Sequence, residues 1–400
     1  MSEQTSAHSS KQGVKVLVAG SILQLFLGII YVWSVFVKPV ISYWDWEEKA
    51  VKDTSSYMLA CFVFGILVCG RLLGKTGTRI TTLAGGLLMS AGMLITSLLK
   101  DAPHWSIWIT YGVVGGFGVG LAYNSILTCA QKWFPTKRGL ATGISVSAFG
   151  FGTAIFAPLI GKLVEKYDLL IALRILSIAF LITTLALFSF IKLPESTGAA
   201  AASSSDQKQY TTGEMLKTPL FYALPFSMMF LTLSYFVLNP SFISLSETKG
   251  YAFGTIILMM SGFVNAIGRL AIPTLGEKIG ASKAVFIIIL ATAISSATLA
   301  IDNPVVFIVS IAVIVFCYGG SSGIYPVVTG GFFGLQNIGS NYGFVMIGFM
   351  ISSLFLAPFI RNIDSLNAQF LITAIIAALG VVLSLILVTV ENKNKSLKGK

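Results

Sequence analysis

Histidine and carboxylates are missing from the places where chemistry would need them. The two histidines, His8 and His104, both lie in polar stretches, and none of the 16 Asp and Glu falls inside an apolar run. No histidine-based metal site and no buried acid–base pair can be assembled from such a set. The sequence therefore predicts no enzyme, no cofactor and no metal. Cysteine is also rare: Cys61, Cys69, Cys129 and Cys317 sit within apolar runs, without metal-like spacing. They read as small packing residues. Charge is thin as well, at 11% of residues against 55% hydrophobic. With a mean hydropathy of +0.84, this excludes an ordinary soluble domain.

What is present is a series of apolar runs, each long enough to cross a bilayer as a helix. Twelve are expected, at about 14–37, 55–73, 80–99, 105–131, 138–162, 169–191, 219–242, 252–275, 284–301, 304–328, 341–360 and 367–390. The polar start, Met1 to Gly13, has no short apolar core followed by a small-residue cleavage site. The first span thus reads as an uncleaved anchor. An even number of crossings puts both termini on one side. If that side is the cytoplasm, tails and inner loops hold seventeen of the 27 Lys and Arg and only six of the acids. This is the expected bias of a plasma-membrane protein with cytoplasmic termini. The net charge of +11 then belongs to the inner surface, facing anionic inner-leaflet lipids rather than nucleic acid.

The two halves repeat at an offset of about 200 residues. Gly70-Arg-Leu-Leu-Gly-Lys75-Thr-Gly77-Thr-Arg79 follows the second span. Pro273-Thr-Leu-Gly-Glu277-Lys278-Ile-Gly280 follows the eighth. Ser196–Tyr210, rich in Ala and Ser, reads as a flexible joint. The expected organisation is a cytoplasmic tail (1–13), a six-helix bundle (14–192), a cytoplasmic linker (193–218), a second six-helix bundle (219–390) and a basic tail (391–400). This is an all-α membrane protein of twelve transmembrane helices in two bundles, expected as a monomer. Such a repeat marks a secondary transporter with its substrate site near mid-membrane. The third, sixth, ninth and twelfth spans carry little polar face and read as lipid-exposed supports.

Polar stripes inside a bilayer face an interior or a water-filled cavity. Gln24, Gly28 and Tyr31 share one helical face, as do Asn124, Thr128 and Gln131 beside Tyr123. Tyr318, Ser321, Ser322 and Tyr325 form a third. The sharpest stripe is Ser261, Asn265 and Arg269 on the eighth span. An arginine at that depth costs roughly 2.5–3.5 kcal/mol on insertion scales unless its charge is answered. Either it snorkels toward Gly276, about 10 Å along the helix, or an anionic substrate answers it. Gly112, Gly116 and Gly120 form a small-residue ridge for close helix packing. Arg71, Lys162 and Arg174, at span ends, read as snorkelling anchors.

Several stretches carry a family resemblance. The paired loops after the second and eighth spans resemble the marker of the major facilitator superfamily. Gly28-Ile-Ile-Tyr31-Val-Trp33, Lys132-Trp-Phe-Pro-Thr-Lys-Arg-Gly-Leu-Ala-Thr-Gly143, Gly213-Glu-Met-Leu-Lys-Thr-Pro219 and Asn341-Tyr-Gly-Phe344 resemble its oxalate/formate antiporter family, relatives of the monocarboxylate transporters. The resemblance implies the major facilitator fold and a central site for a small carboxylate. Arg269 matches the family's carboxylate-binding arginine, and Tyr31 and Tyr123 match its cavity tyrosines. The chain departs from the pattern in three places: Phe349 stands where the oxalate carrier has a lysine, Tyr318 and Ser322 replace a Trp and a Tyr, and Gly74 replaces the loop acid.

The expected substrate-binding set is Arg269, Tyr31, Tyr123, Asn124, Asn265, Tyr318, Ser322, Tyr325 and Phe349. Lys75, Gly77, Arg79, Glu277, Lys278 and Gly280 are expected to steer the conformational switch. One fixed cation with an aromatic neighbour suits a monoanion such as lactate, pyruvate or formate; the alternative is that Phe349 only packs against a neighbouring helix. Proton symport is the favoured coupling. Exchange of one carboxylate for another is the alternative, since no span holds an acid or histidine to carry a proton. A non-transporting carboxylate sensor remains a different class of reading, and drug/proton efflux would need a cavity acid.

Overall fold

A computed structural model describes residues 2–194, 208–239 and 254–398. The described residues form helices and no strand, as hydrocarbon demands, because backbone groups there must pair within their own segment. In chain order the helices are α1 (Ser2–Leu27), α2 (Trp33–Trp44), α3 (Glu48–Thr96), α4 (Trp105–Trp133), α5 (Arg138–Tyr167) and α6 (Leu169–Leu187). There follow α7 (Thr212–Leu216), α8 (Pro219–Leu238), α9 (Gly254–Ile279), α10 (Ala281–Thr298), α11 (Pro304–Phe333), α12 (Ile338–Arg361) and α13 (Leu366–Lys398). A 3₁₀ turn, Gly28–Tyr31, links α1 to α2.

Ten of the described helices are long and apolar enough to cross a membrane. One of them, within α3, has 44 residues, about 66 Å at 1.5 Å per residue, or two crossings of a core about 30 Å thick. The second and third expected spans are thus one helix, broken at Gly77 (φ 74°, ψ 172°). Gly280, its counterpart in the repeat, also has positive φ, 104°, where α9 gives way to α10. A side chain at either position would sit in the left-handed region that glycine enters freely. With α9 added, a 26-residue helix, the twelve expected crossings are accounted for. α1 begins at Ser2 and α13 runs to Lys398, so helix continues into both stretches read as tails. Half of the expected linker, 195–207, lies outside the described residues.

Two compact units emerge: Met1–Thr136 with Phe151–Gln207, and Lys137–Gly150 with Lys208–Lys400, described residues only. The first half of α5 packs with the second unit. In the first unit α4 lies directly on α3. A Cβ on Gly116 would strike the Met58 carbonyl, and one on Gly120 the Phe62 carbonyl, which is the close approach expected of that ridge. The six tryptophans, residues 33, 44, 46, 105, 108 and 133, all belong to this unit. Arg174, expected to snorkel, instead donates through Nη2 to the Ser97 carbonyl at 3.1 Å, because that carbonyl lies at the open end of α3. Cys69, Cys129 and Cys317 are buried.

The outer faces are oily. Ile171, Ile175, Ile178 and Ile182 on α6 are exposed, as are Leu371, Ile375, Leu379 and Val382 on α13. Their i, i+4, i+7 or i+8, i+11 spacing is one exposed apolar helical face, of the kind the support-helix reading expects of the sixth and twelfth spans.

Candidate substrate site

Arg269 is buried, with 1% of its surface exposed, which rules out snorkelling in this conformation. Helix contacts explain why it stays inside. Gly268 lies on the Phe316 carbonyl, Gly319 on the Asn265 carbonyl, and a Cβ on Gly323 would be 2.8 Å from the Arg269 carbonyl. α9 is thereby pressed backbone to backbone against α11. On another side it meets α5, where Ser147 Oγ donates to the Ala266 carbonyl at 2.9 Å. The Arg269 side chain turns toward α5: Nε donates to Asn265 Oδ1 at 2.7 Å and Nη1 to the Val146 carbonyl at 3.5 Å. The Phe149 ring lies 5.5 Å from its guanidinium carbon. The sequence placed Asn265 and Arg269 on one face, and the structure joins them.

Phe349, 2% exposed, belongs to an aromatic cluster in the same unit. It meets Phe236 edge-on at 4.9 Å and Tyr318 at 6.3 Å. Tyr318 stacks on Tyr235 at 3.6 Å, nearly parallel. Tyr325 ties α11 to α8, its hydroxyl donating to Ser227 Oγ at 3.0 Å. Ser322, one turn beyond Tyr318 on α11, is 8% exposed.

Tyr31, Tyr123 and Asn124 belong to the first unit. Tyr31 is half-buried at the end of the 3₁₀ turn. Tyr123 meets Phe62 edge-on at 5.3 Å, and its carbonyl accepts from Gln24 Nε2 at 3.3 Å. Asn124 Nδ2 donates to the Ile66 carbonyl at 2.9 Å, joining α4 to α3.

Among the expected switch residues, Glu277 Oε1 accepts from the main-chain N–H groups of Gly139 and Leu140, at the first turn of α5. Gly77 and Gly280 make the two positive-φ turns, and Lys75, Arg79 and Lys278 are exposed. A Cβ on Gly74, where the resemblance expects an acid, would meet nothing within 4 Å. The Asn341 motif holds the described end of the linker: its Nδ2 donates to the Tyr210 carbonyl at 3.2 Å, and its Oδ1 accepts from Thr212 Oγ1 at 2.9 Å. A capping box between Thr211 and Glu214 starts α7. The Thr211 N–H, and then its hydroxyl, hold the Glu214 carboxyl below the usual carboxylate range.

Sequence reasoning missed Val146, Phe149 and Gly150 on α5, and Tyr235 and Phe236 on α8. The signal on α5 was readable: Gly139, Gly143, Ser147 and Gly150 share a face of small residues that permits close approach. Nothing in the spacing marked the α8 aromatics.

Comparison with known proteins agrees with this architecture. A family model described as Major Facilitator Superfamily matches residues 16–357. The chain is 26% identical over 368 residues to the oxalate:formate antiporter of Oxalobacter formigenes, covering 90% of this chain and 87% of that one. It is 23% identical over 303 residues to monocarboxylate transporter 13 of Rattus norvegicus, covering 75% and 69%. The proton:xylose symporter XylE, solved with 6-bromo-6-deoxy-D-glucose, shares the fold at a TM-score of 0.72 with 14% identity, covering 94% of this chain and 95% of that one.

Proposed function

We propose, for a chain that belongs to the Major Facilitator Superfamily, that its cargo is a small monocarboxylate bound by Arg269 and carried by alternating access. The protein is a multi-pass membrane transporter and not an enzyme. The observation that carries the reading is Arg269 itself, buried within α9 and sharing a face with Asn265. A guanidinium offers a planar fork that takes a carboxylate through two parallel hydrogen bonds. Similarity to an oxalate:formate antiporter and to a monocarboxylate transporter supports an organic anion as cargo.

Phe349 narrows the cargo. Its surroundings are aromatic rings, so a dianion would bring a second charge to an apolar wall. Desolvating that charge without a cationic partner costs several kcal/mol. Lactate, pyruvate and formate therefore fit better than oxalate. Tyr31, Tyr123, Asn124, Tyr318, Ser322 and Tyr325 complete the proposed binding set. The two halves, 14–192 and 219–390, supply six crossings each, with both termini cytoplasmic in the plasma membrane.

Proton symport is the coupling we favour, the proton travelling with the cargo. Exchange of carboxylates is the second reading, favoured by the extent of the match to the antiporter. Purified protein in liposomes, given labelled lactate, pyruvate, formate and oxalate with and without a pH gradient, tests both. Lactate or pyruvate uptake driven by an inward proton gradient is expected. Oxalate exchange indifferent to pH would overturn the cargo and the coupling together.

A further inference from the structure

The small-residue face of α5 lies against α9 over three turns. A Cβ on Gly139 would strike the Pro273 carbonyl, and one on Gly143 would lie 3.2 Å from Leu270 and 3.3 Å from the Arg269 carbonyl. Ser147 bonds to the Ala266 carbonyl. At Gly150 a Cβ would be 3.0 Å from Arg269 Cδ and 3.2 Å from Nε. The arginine stem therefore passes across the place where any larger residue would stand. At the far end of that path its head meets the Val146 carbonyl and the Phe149 ring.

Nε keeps its 2.7 Å bond to Asn265 Oδ1 within α9; the two contacts to α5 are weak beside those a carboxylate would make. A distance of 3.5 Å is at the long limit for an N–H···O bond. The ring holds the cation only through its quadrupole. A carboxylate offers two short, charge-assisted bonds to the same N–H groups. We propose that Val146 and Phe149 hold Arg269 in a resting position from which the cargo draws it. Binding would then loosen α5 from α9, and Phe149 is the positioning residue that sets how much affinity this release consumes. The inference rests on the reading of Arg269 as the carboxylate site.

It gives cargo binding a mechanical consequence inside the second unit. Arg269 is a side-chain bridge between the first half of α5 and α9, its head at Val146 and its stem beside Gly150. A cargo that takes the guanidinium removes this bridge and leaves the Ser147 Oγ–Ala266 carbonyl bond as the neighbouring side-chain tie. The Glu277 contact, at the first turn of α5, is untouched.

The test replaces Phe149 in the full-length protein by mono-, di- and trifluorinated phenylalanine, which keep the ring's shape while weakening its hold on a cation. Binding of lactate, pyruvate and formate is measured for each, with amide exchange over residues 138–150. Affinity should rise stepwise along the series, by roughly three- to tenfold at its end. Lactate should speed exchange at 138–150 in the parent protein, and less so in the trifluoro variant, where the bridge is already slack. A flat series, or falling affinity, in a protein that does bind these carboxylates overturns this proposal alone. If the parent binds none of them, or Arg269→Ala binds them equally well, the cargo reading falls and this proposal with it.

Discussion

The Glu277 carboxylate closes on Gly139: its Oε1 accepts that residue's main-chain N–H at 2.6 Å and the N–H of Leu140 at 3.3 Å. These are among the first N–H groups of α5, which have no partner within the helix, and the positive end of the helix dipole favours an anion there. Glu277 is exposed, so water screens the attraction. Glu277→Gln keeps the size and removes the charge. Cargo affinity should stay within about twofold while the maximal transport rate changes, because the contact is with a helix end and not with cargo. A tenfold loss of affinity would place Glu277 in the binding site instead.

Arg269→Lys should not be a mild change. Lysine keeps the charge but loses the fork that reaches Asn265 and Val146 together. Uptake per unit substrate should fall by about tenfold or more, and Arg269→Ala should abolish it. Liposome uptake at matched protein density decides the matter. Parent-level transport by the alanine variant would leave the fold standing and remove the mechanism.

Phe349→Lys should move preference from monoanions toward oxalate, since a second cation would answer a second carboxylate. The cluster formed with Phe236 and Tyr318 will also lose packing, so the readout is the ratio of oxalate to lactate uptake within the variant. An unchanged ratio would mean that this side chain faces away from the cargo.

Gly120→Ala tests the α3–α4 seam. The new methyl would collide with the Phe62 carbonyl, a backbone atom that cannot rotate aside. Overpacking of this kind costs about 1–3 kcal/mol. A lowered unfolding temperature in detergent is expected; Gly74→Ala, in open space, is the control and should not be lowered in that way.

The Thr211–Glu214 capping box makes a pH prediction. Because the Glu214 carboxyl is held below its usual range, its contribution to α7 is full above the unfolded value and lost as pH falls through the folded one. Amide exchange across 212–216 should speed up as pH drops through that range, after correction for intrinsic rates. Thr211→Val removes the hydroxyl but keeps the N–H that acts first on Glu214, so it should weaken the cap and flatten the profile in part. An unaltered profile would assign the effect elsewhere.

Hydropathy and the Lys75/Lys278 and Gly77/Gly280 pairs made the twelve-span, two-part repeat legible, because crossing a bilayer is a constraint on local composition. The Asn265–Arg269 pairing was legible for the same local reason: four residues make one helical turn. What could not be read was which neighbour each polar face would meet. That Asn341 holds the linker end at Tyr210, or that Arg269 leans on Phe149, depends on packing between distant segments. Glycine spacing on α5 gave a hint of close approach without naming the partner.

Every indole in the molecule sits in the first unit. Selective long-wavelength excitation therefore reports on that unit alone, while the tyrosine and phenylalanine cluster around Phe349 stays dark. A single tryptophan placed in the second unit would add one emitter to a silent background, and a Trp-free variant would isolate it.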